Sequence, residues 1–513
     1  MRRRTQSHGL DLFQPRARRA LPVVASALAF LVSLSCATSD PAAQPARAPR
    51  PAPVAAPIRA RSTRSTRSTP AERQAALREI YAQLIAIDTT EARGSTTVAA
   101  QAMAARLTAA GLPAQDVQVL VHPDNPRKGN LVARLRGRGG KKPLLLLAHL
   151  DVVEALQKDW SPDLDPFKLT EKDGFFYGRG TSDDKAMAAI FVATLVRAKQ
   201  EGFTPERDII VALTADEEGG QQNGVAWLLA NHRALVDAEL GLNEGAGGRF
   251  RQGKRLFNGV QASEKVFQSF ALEAHNKGGH SALPVKDNAI YRLAAALDRL
   301  GKFDFPVNLN EVTRGYFGRM ASIEKGPMAA AMKAAAATPP DPAALAQLST
   351  SAYYNALLRT TCVATQLSGG HAENALPQTA RAVVNCRILP QESSADVQRT
   401  LAQVVADAEV SIAPLTAPQP SPPSPLTRTV MAPIEQITGA LWPGVPVVPI
   451  MGTGATDSLY LRRAGIPMYG VSGLFSDIDD VRAHGKDERL GVTALYEGQE
   501  FLDRLVRALA GGS

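Results

Sequence analysis

The sequence predicts an α/β fold: a sheet covered by helices on both faces and interrupted by a smaller α+β layer. Three features predict it. Short, continuous apolar runs, NLVARLRG at 130–137, PLLLLAHLDVV at 143–153 and DIIVALTAD at 208–216, are bounded by polar loops, as strands buried on both faces are. Between them lie stretches with helical apolar spacing, such as AMAAIFVATLVRAKQEG at 186–202. Histidines and paired acids stand directly after the apolar runs, where open α/β sheets collect their chemistry.

At 513 residues and 45% hydrophobic content the chain can bury a large core, and two domains are expected. The formal charge of +9 would suggest nucleic acid, but twelve Arg against only Asp11 and Asp40 lie in residues 1–70. Residues 71–513 then hold 46 basic groups (58 less 12) against 47 acidic ones (49 less 2). A body so nearly neutral carries no footprint for a nucleic-acid partner.

Arg2, Arg3, Arg4, Arg16, Arg18 and Arg19 precede an apolar run from Leu21 to Leu34, short for a membrane span and followed by small residues. Residues 1–36 therefore read as a secretory signal, and the chain as exported, either periplasmic or membrane-tethered. Two processing routes fit: lipoprotein-type cleavage with a lipid anchor at Cys36, or ordinary cleavage among the small residues around it. Residues 37–70 are Pro, Ala, Ser, Thr and Arg, including RSTRSTRST, and are expected to be a flexible tether because they cannot build a core.

Helices are expected over AERQAALREIYAQLIAI (71–87), with Ser68 or Thr69 as cap, and over TTVAAQAMAARLTAAGL (96–112), ending on Gly111. The strands of the opening paragraph follow, and five acidic or histidine clusters mark their ends. In the first, an imidazole at His149 can hold a metal through one nitrogen while Asp151, two residues on, fixes its tautomer. YGRGTSDDKAMAA then presents Asp183 and Asp184 on a glycine turn just before a helix; capping would need one carboxylate, not two. In TADEEGG, Glu217 and Glu218 point apart in extended chain, so one can hold a metal while the other faces its water. LNEGAGG adds Glu244, and VRAHGKDERL adds His484. Together His149, Asp183, Glu218, Glu244 and His484 form a ligand set suited to zinc.

The ordered series AHLDVV, GRGTSDDK, DEEGG, NEG, GGHSALP and AHGKDE resembles the di-zinc metallopeptidase and deacylase family that includes aminoacylase, acetylornithine deacetylase, succinyl-diaminopimelate desuccinylase and glutamate carboxypeptidase. The likeness runs from about residue 75 to the C-terminus. It implies a catalytic domain with a mixed, mainly parallel sheet (residues 71–262 and 417–513) and an inserted lid and dimerisation domain (263–416). It also implies two zinc ions per subunit, with His149 and Glu244 each on one or the other, Asp183 bridging both, Glu218 and His484 completing the sites, and a cis peptide after Asp183. Glu217 would be the general base and Asp151 the residue behind His149. Ala186 stands where the family usually has Gly, which still suits a helix start.

The lid is visible as an interruption of about 200 residues between NEGAGG and His484. Its segments FQSFALEAHNKGGHSALP, NAIYRLAAALDRL, the hairpin-like stretch 360–390 and SSADVQRTLAQVVADA suggest a sheet with two helices on one face. The Ala-rich MAAAMKAAAATPPDPAALAQL inside it reads as an inserted helix and loop without chemistry. Cys362 and Cys386 lie symmetrically about residue 374, so a hairpin turning there would set them opposite each other, within reach of a disulfide.

The resemblance gives substrate contacts to Asn374 and Arg387, the latter able to fork onto a carboxylate, and to His280, which would reach the oxyanion of a neighbouring subunit in a homodimer. In that family Glu at position 244 is commoner among carboxypeptidases and deacylases than among dipeptidases and aminopeptidases. The expected substrate is thus a small peptide or N-acyl amino acid, with a dipeptidase or aminopeptidase as the second reading. A non-catalytic metal-binding envelope protein would be expected to have lost a ligand or the base, and here all are present.

Overall fold

The computed structural model describes residues 68–512. The expected signal, Cys36 and the tether up to residue 67 lie outside the described residues. Among those described, no helix is long and apolar enough to cross a membrane.

The first helix, Pro70–Ala86, starts on Thr69, which closes a capping box with Glu72 and so contributes about 1 kcal/mol. The second, Thr96–Ala109, stops just before Gly111, whose φ of 95° favours a residue without Cβ.

The expected mixed sheet flanked by helices is found. Across it run Val117–Val121, Gly129–Leu135, Ile209–Thr214, Leu144–His149, Leu240–Asn243, Met468–Gly470, Lys254–Glu264, Gly248–Arg251 and Phe475–Asp477, with Val447–Gly452 pairing beside Lys254–Glu264. Leu144–His149 is parallel to both of its neighbours. Their carboxyl ends therefore open on one edge.

Every residue of Leu144–His149 and Ile209–Thr214 is buried, and strand alternation says where each goes. Leu144, Leu146, Val211 and Leu213 pack with Leu77, Met103 and Phe191 from the helices on one face. Leu145, Leu147, Ile210 and Ala212 pack with Val225, Leu228 and Leu461 on the other. That two-sided cover is why these runs read as continuous apolar stretches.

A second, antiparallel sheet follows the order Thr361–Gly369, Thr379–Ile388, Val266–His275, Val410–Pro414. Helices Ala289–Gly301 and Ser394–Val405 cover one face, with Leu293, Ala296, Val397 and Leu401 against Phe270, Leu272 and Val384. The pairing sets Cys362 opposite Cys386, and a disulfide joins them.

The Ala-rich stretch departs from the expectation that it belongs to the lid. It forms Gly326–Ala336 and Pro342–Ser349, flanked by helices Glu311–Met320 and Ala352–Leu358, and Phe317, Met332 and Leu348 join the larger core. Glu311–Met320 lies close on the main sheet: a Cβ at Gly315 would meet the Pro449 ring at 2.8 Å. An alanine helix carries no outward mark of which core its larger residues will choose.

Candidate active site and metal centre

Three adjacent parallel strands bring the clusters together. Leu144–His149 ends on His149, Ile209–Thr214 runs out into Asp216, Glu217 and Glu218, and Leu240–Asn243 into Glu244. Asp183 comes from the turn before helix Lys185–Gln200, and His484 from the loop before strand Arg489–Gly491.

That turn is built by charge and by glycine. The buried Glu488 carboxylate accepts from Gly180 N (2.9 Å), Ser182 N (2.7 Å), Ser182 Oγ (2.8 Å) and Asp183 N (3.2 Å), and pairs with Arg179 at 2.7 Å. Gly180 has φ 84°, and a Cβ there would meet the Lys185 and Val152 side chains at 2.9 Å. Beneath it Lys185 Nζ donates to the main-chain oxygens of Leu84 (2.9 Å) and Ile87 (2.8 Å), and burial pushes its pKa down to about 7. The Asp183–Asp184 peptide is cis, as the resemblance implied.

His149 Nδ1 donates to the main-chain oxygen of Asp151 at 3.0 Å, while Asp151 Oδ1 lies 3.7 Å away. A carbonyl only accepts, so Nδ1 carries the proton and Nε2 is turned to Asp183 Oδ1, 2.9 Å distant. The residue expected behind His149 is there, but its main chain makes the bond; its Oδ2 accepts from Glu218 N at 2.9 Å. Asp183 Oδ2 faces His484 Nε2 at 3.2 Å, and that nitrogen lies 3.0 and 2.8 Å from the two oxygens of Glu218. One carboxylate thus stands between two imidazoles. Potential ligand atoms of His149, Asp183 and Glu218, and of His149, Glu217 and Glu244, lie within 4.8 Å of one another.

Without a cation such crowding is relieved by protons. Burial, with the charges of Asp457, Glu218 and Asp151, pushes Glu217 up to about 8; burial and Asp183 push Glu218 up to about 7. Burial raises Glu244 well above the usual carboxylate range. His484 rises to about 9 through its hydrogen bond to Asp183. Buried Asp151 Oδ1 and Asp184 Oδ2 have no hydrogen-bond partner among the described residues. These are the properties of a site shaped for positive charge, and a carboxylate with imidazoles on both oxygens, flanked by further carboxylates, fits a pair of zinc ions.

A consequence is measurable on metal-free protein. Glu217, Glu218 and His484 have folded pKa values above their ordinary ones, so the folded state holds more protons than the unfolded chain and stability falls as pH rises. The window runs from the carboxylates' ordinary 4.5 to about 7, above which the buried Lys185, lowered to about 7, gives up its proton in the folded state and works in the opposite direction. Thermal melts across it should show a steadily falling Tm, and metal should restore most of the loss at its upper end. A Tm that rises through this window would contradict the reading.

Two further residues belong to the site. Asp457 accepts from Asn223 Nδ2 (2.6 Å) and Thr214 Oγ1 (3.2 Å), and burial lifts it to about 6. It follows strand Val447–Gly452, so the same signal, an acid after an apolar run, would have found it. Glu488 stands inside AHGKDE beside His484. Its role needs the fold, since its partners are about 305 residues away in the chain.

The expected substrate residues sit in the smaller layer. His280 and Asn374 are exposed and adjoin: strand Gly279–His280 pairs with Ala375–Leu376, and Ser281 N donates to Asn374 O at 3.0 Å. The Arg387 guanidinium lies over the Phe267 ring, 4.8 Å from its centre. Among the described residues, the hydrogen bonds and the ring contact of these three stay within this layer.

The family model of peptidase family M20/M25/M40 matches residues 145–508. The chain belongs to this family. It is 30% identical over 379 residues to the N-fatty-acyl-amino acid synthase/hydrolase PM20D1 of Bos taurus, covering 70% of this chain and 72% of that protein. The probable carboxypeptidase S-like 2 of Dictyostelium discoideum is 28% identical over 378 residues, 71% of each chain. Among solved structures, the M20 family metallo-carboxypeptidase Sso-CP2 from Sulfolobus solfataricus superposes with a TM-score of 0.61 at 16% identity, over 85% of this chain and 99% of that one. The Bacillus subtilis YXEP protein, a dinuclear metal-binding peptidase of the same family, gives 0.54 at 13% identity, over 86% and 99%. The chain is therefore a hydrolase of a metal-dependent peptidase and amidohydrolase family.

Proposed function

We propose that this protein is an exported zinc-dependent hydrolase that cuts the amide bond on the amino side of a free α-carboxylate, as in an N-acyl amino acid or at the C-terminal residue of a short peptide. The observation that carries the reading is Glu217, its pKa pushed up to about 8, beside the His149, Asp183, Glu218, Glu244 and His484 set. The N-acyl-amino-acid and carboxypeptidase-like names of two relatives support the bond class. The Arg-rich start and the apolar run ending near Cys36 support export.

When bound, two zinc ions supply Lewis-acid polarisation of the carbonyl and a water acidic enough to attack near neutral pH. His149, Asp183, Glu218, Glu244 and His484 hold them, and the Asp151 main-chain oxygen keeps His149 in the tautomer that leaves Nε2 free. A carboxylate Oε of Glu217 takes the proton of the attacking water and returns it to the leaving nitrogen. Burial, with the Asp457 charge beside it, keeps Glu217 basic enough for that transfer. From the smaller layer, His280, Asn374 and Arg387 meet the substrate in a homodimer, where His280 of one subunit faces the reacting carbonyl of the other.

A substrate panel on zinc-loaded protein tests this. N-acyl amino acids and dipeptides with a free carboxylate should exceed their carboxamide-blocked counterparts by roughly 10- to 100-fold in kcat/KM, the worth of a charge-assisted contact. Faster cleavage of blocked peptides bearing a free amino terminus would favour an aminopeptidase instead.

A further inference from the structure

Beside Asp183, Asp184 and Glu244 lies a half-open cleft of about 200 Å³, whose cationic lining is Arg249, Arg482 and Arg489. Two of these are already answered. Arg482 Nε lies 2.7 Å from Asp480 Oδ1 and Arg489 Nε 3.1 Å from Asp480 Oδ2, with Arg489 Nη1 also donating to the Tyr177 hydroxyl at 2.9 Å. In the adjoining recess, which shares Ser182, Ser476, Asp480, Arg489 and Leu490 with the cleft, the other cation is Arg255, 2.6 Å from Glu497.

Arg249 differs. It sits on strand Gly248–Arg251 directly opposite Ser476 of the parallel strand Phe475–Asp477, and its Nη1 donates to the Ser476 hydroxyl. No carboxylate pairs with it among the described residues; the Tyr353 phenol, from the helix Ala352–Leu358, is near it but stays uncharged, its pKa raised by burial. A guanidinium is always charged and offers five donors in a planar fork, so the half-buried Arg249, holding only a hydroxyl, leaves most of its hydrogen-bonding capacity unused. Its open side is the cleft that also exposes Asp183 and Glu244, where an anion would meet those unused donors as charge-assisted hydrogen bonds.

We propose that Arg249 is a carboxylate receptor of the active-site cleft, forking onto a carboxylate of the substrate while Ser476 steadies its other side. This rests on the amide-hydrolase reading above. The carboxylate has two sources in a substrate of that class: the α-carboxylate of the released amino acid, or one at the far end of a dicarboxylic acyl group.

The test compares wild type with Arg249→Gln and Arg249→Lys on N-acetyl and N-succinyl derivatives of one amino acid, each as free acid and as carboxamide. If the α-carboxylate is read, Arg249→Gln should lose about tenfold or more in kcat/KM on the free acids and leave the carboxamides unchanged. If the acyl carboxylate is read, the loss should fall on the succinyl substrates alone. Arg249→Lys, which keeps the charge without the fork, should recover part of either loss. Equal effects on all four substrates, or none, overturn the proposal. Calorimetric titration of metal-loaded protein with succinate separates this from failure of the hydrolase reading. Weaker succinate binding in Arg249→Gln supports the receptor even where no substrate turns over, and unchanged binding with unchanged discrimination overturns it.

Discussion

Glu217→Gln should lower kcat by about 10² to 10⁴ while the metal content of the protein stays at the wild-type value. The geometry separates Glu217 from its neighbour: both oxygens of Glu218 lie against His484, at 3.0 and 2.8 Å, and its amide is fixed on Asp151. Among the described residues no imidazole hydrogen-bonds Glu217, although His149 lies within 4.8 Å, and burial with neighbouring acidic charges lifts it to about 8, so a proton can reside on it near neutral pH. Glutamine keeps the shape and cannot take the proton. Metal analysis beside steady-state kinetics reads the two effects separately. Wild-type turnover in the variant would remove Glu217 from its role, and loss of metal would make it a ligand instead.

Asp183→Asn should abolish activity through metal rather than through the proton. Asp183 has one oxygen toward His149 and the other toward His484, so it is the one carboxylate that can serve both halves of the centre. A carboxamide offers a single neutral oxygen in the same volume. Metal affinity should therefore drop by more than the roughly 10- to 100-fold typical of losing a group that only supports a ligand. The turn itself should persist, because Glu488 holds it through the main-chain amides of Gly180, Ser182 and Asp183. Dialysis against competing chelators gives the affinity. A variant that retains full metal content would show that Asp183 does not bridge.

The sequence shows the parts of this site that follow from strand physics. Apolar runs such as Leu144–His149 are read directly because both faces are buried, and His149, Glu217, Glu218 and Glu244 are read because parallel neighbours release their loops at one edge. The opposition of Cys362 and Cys386 followed from counting residues about the turn, and the register confirms it. What sequence does not show depends on distant partners. Glu488 looks like one more acid in a charged loop until Arg179 and the Gly180 turn are folded against it. Arg249 reads as an ordinary strand arginine, since nothing local says that the surrounding acids already have partners. The Ala-rich stretch at 328–348 reads as a featureless insertion, because its few large residues, Met332 and Leu348, do not announce which core they will enter.

The most direct test of the central claim, that the acidic and imidazole cluster is a two-metal hydrolytic centre, is stepwise zinc titration of metal-stripped protein with hydrolysis of an N-acyl amino acid followed at each addition. Activity absent from the stripped protein should appear on titration and level off at about two equivalents per chain, the number that a centre with one bridging carboxylate accommodates. Full turnover by the stripped protein, or saturation of zinc binding with no turnover of any amide, would contradict the account.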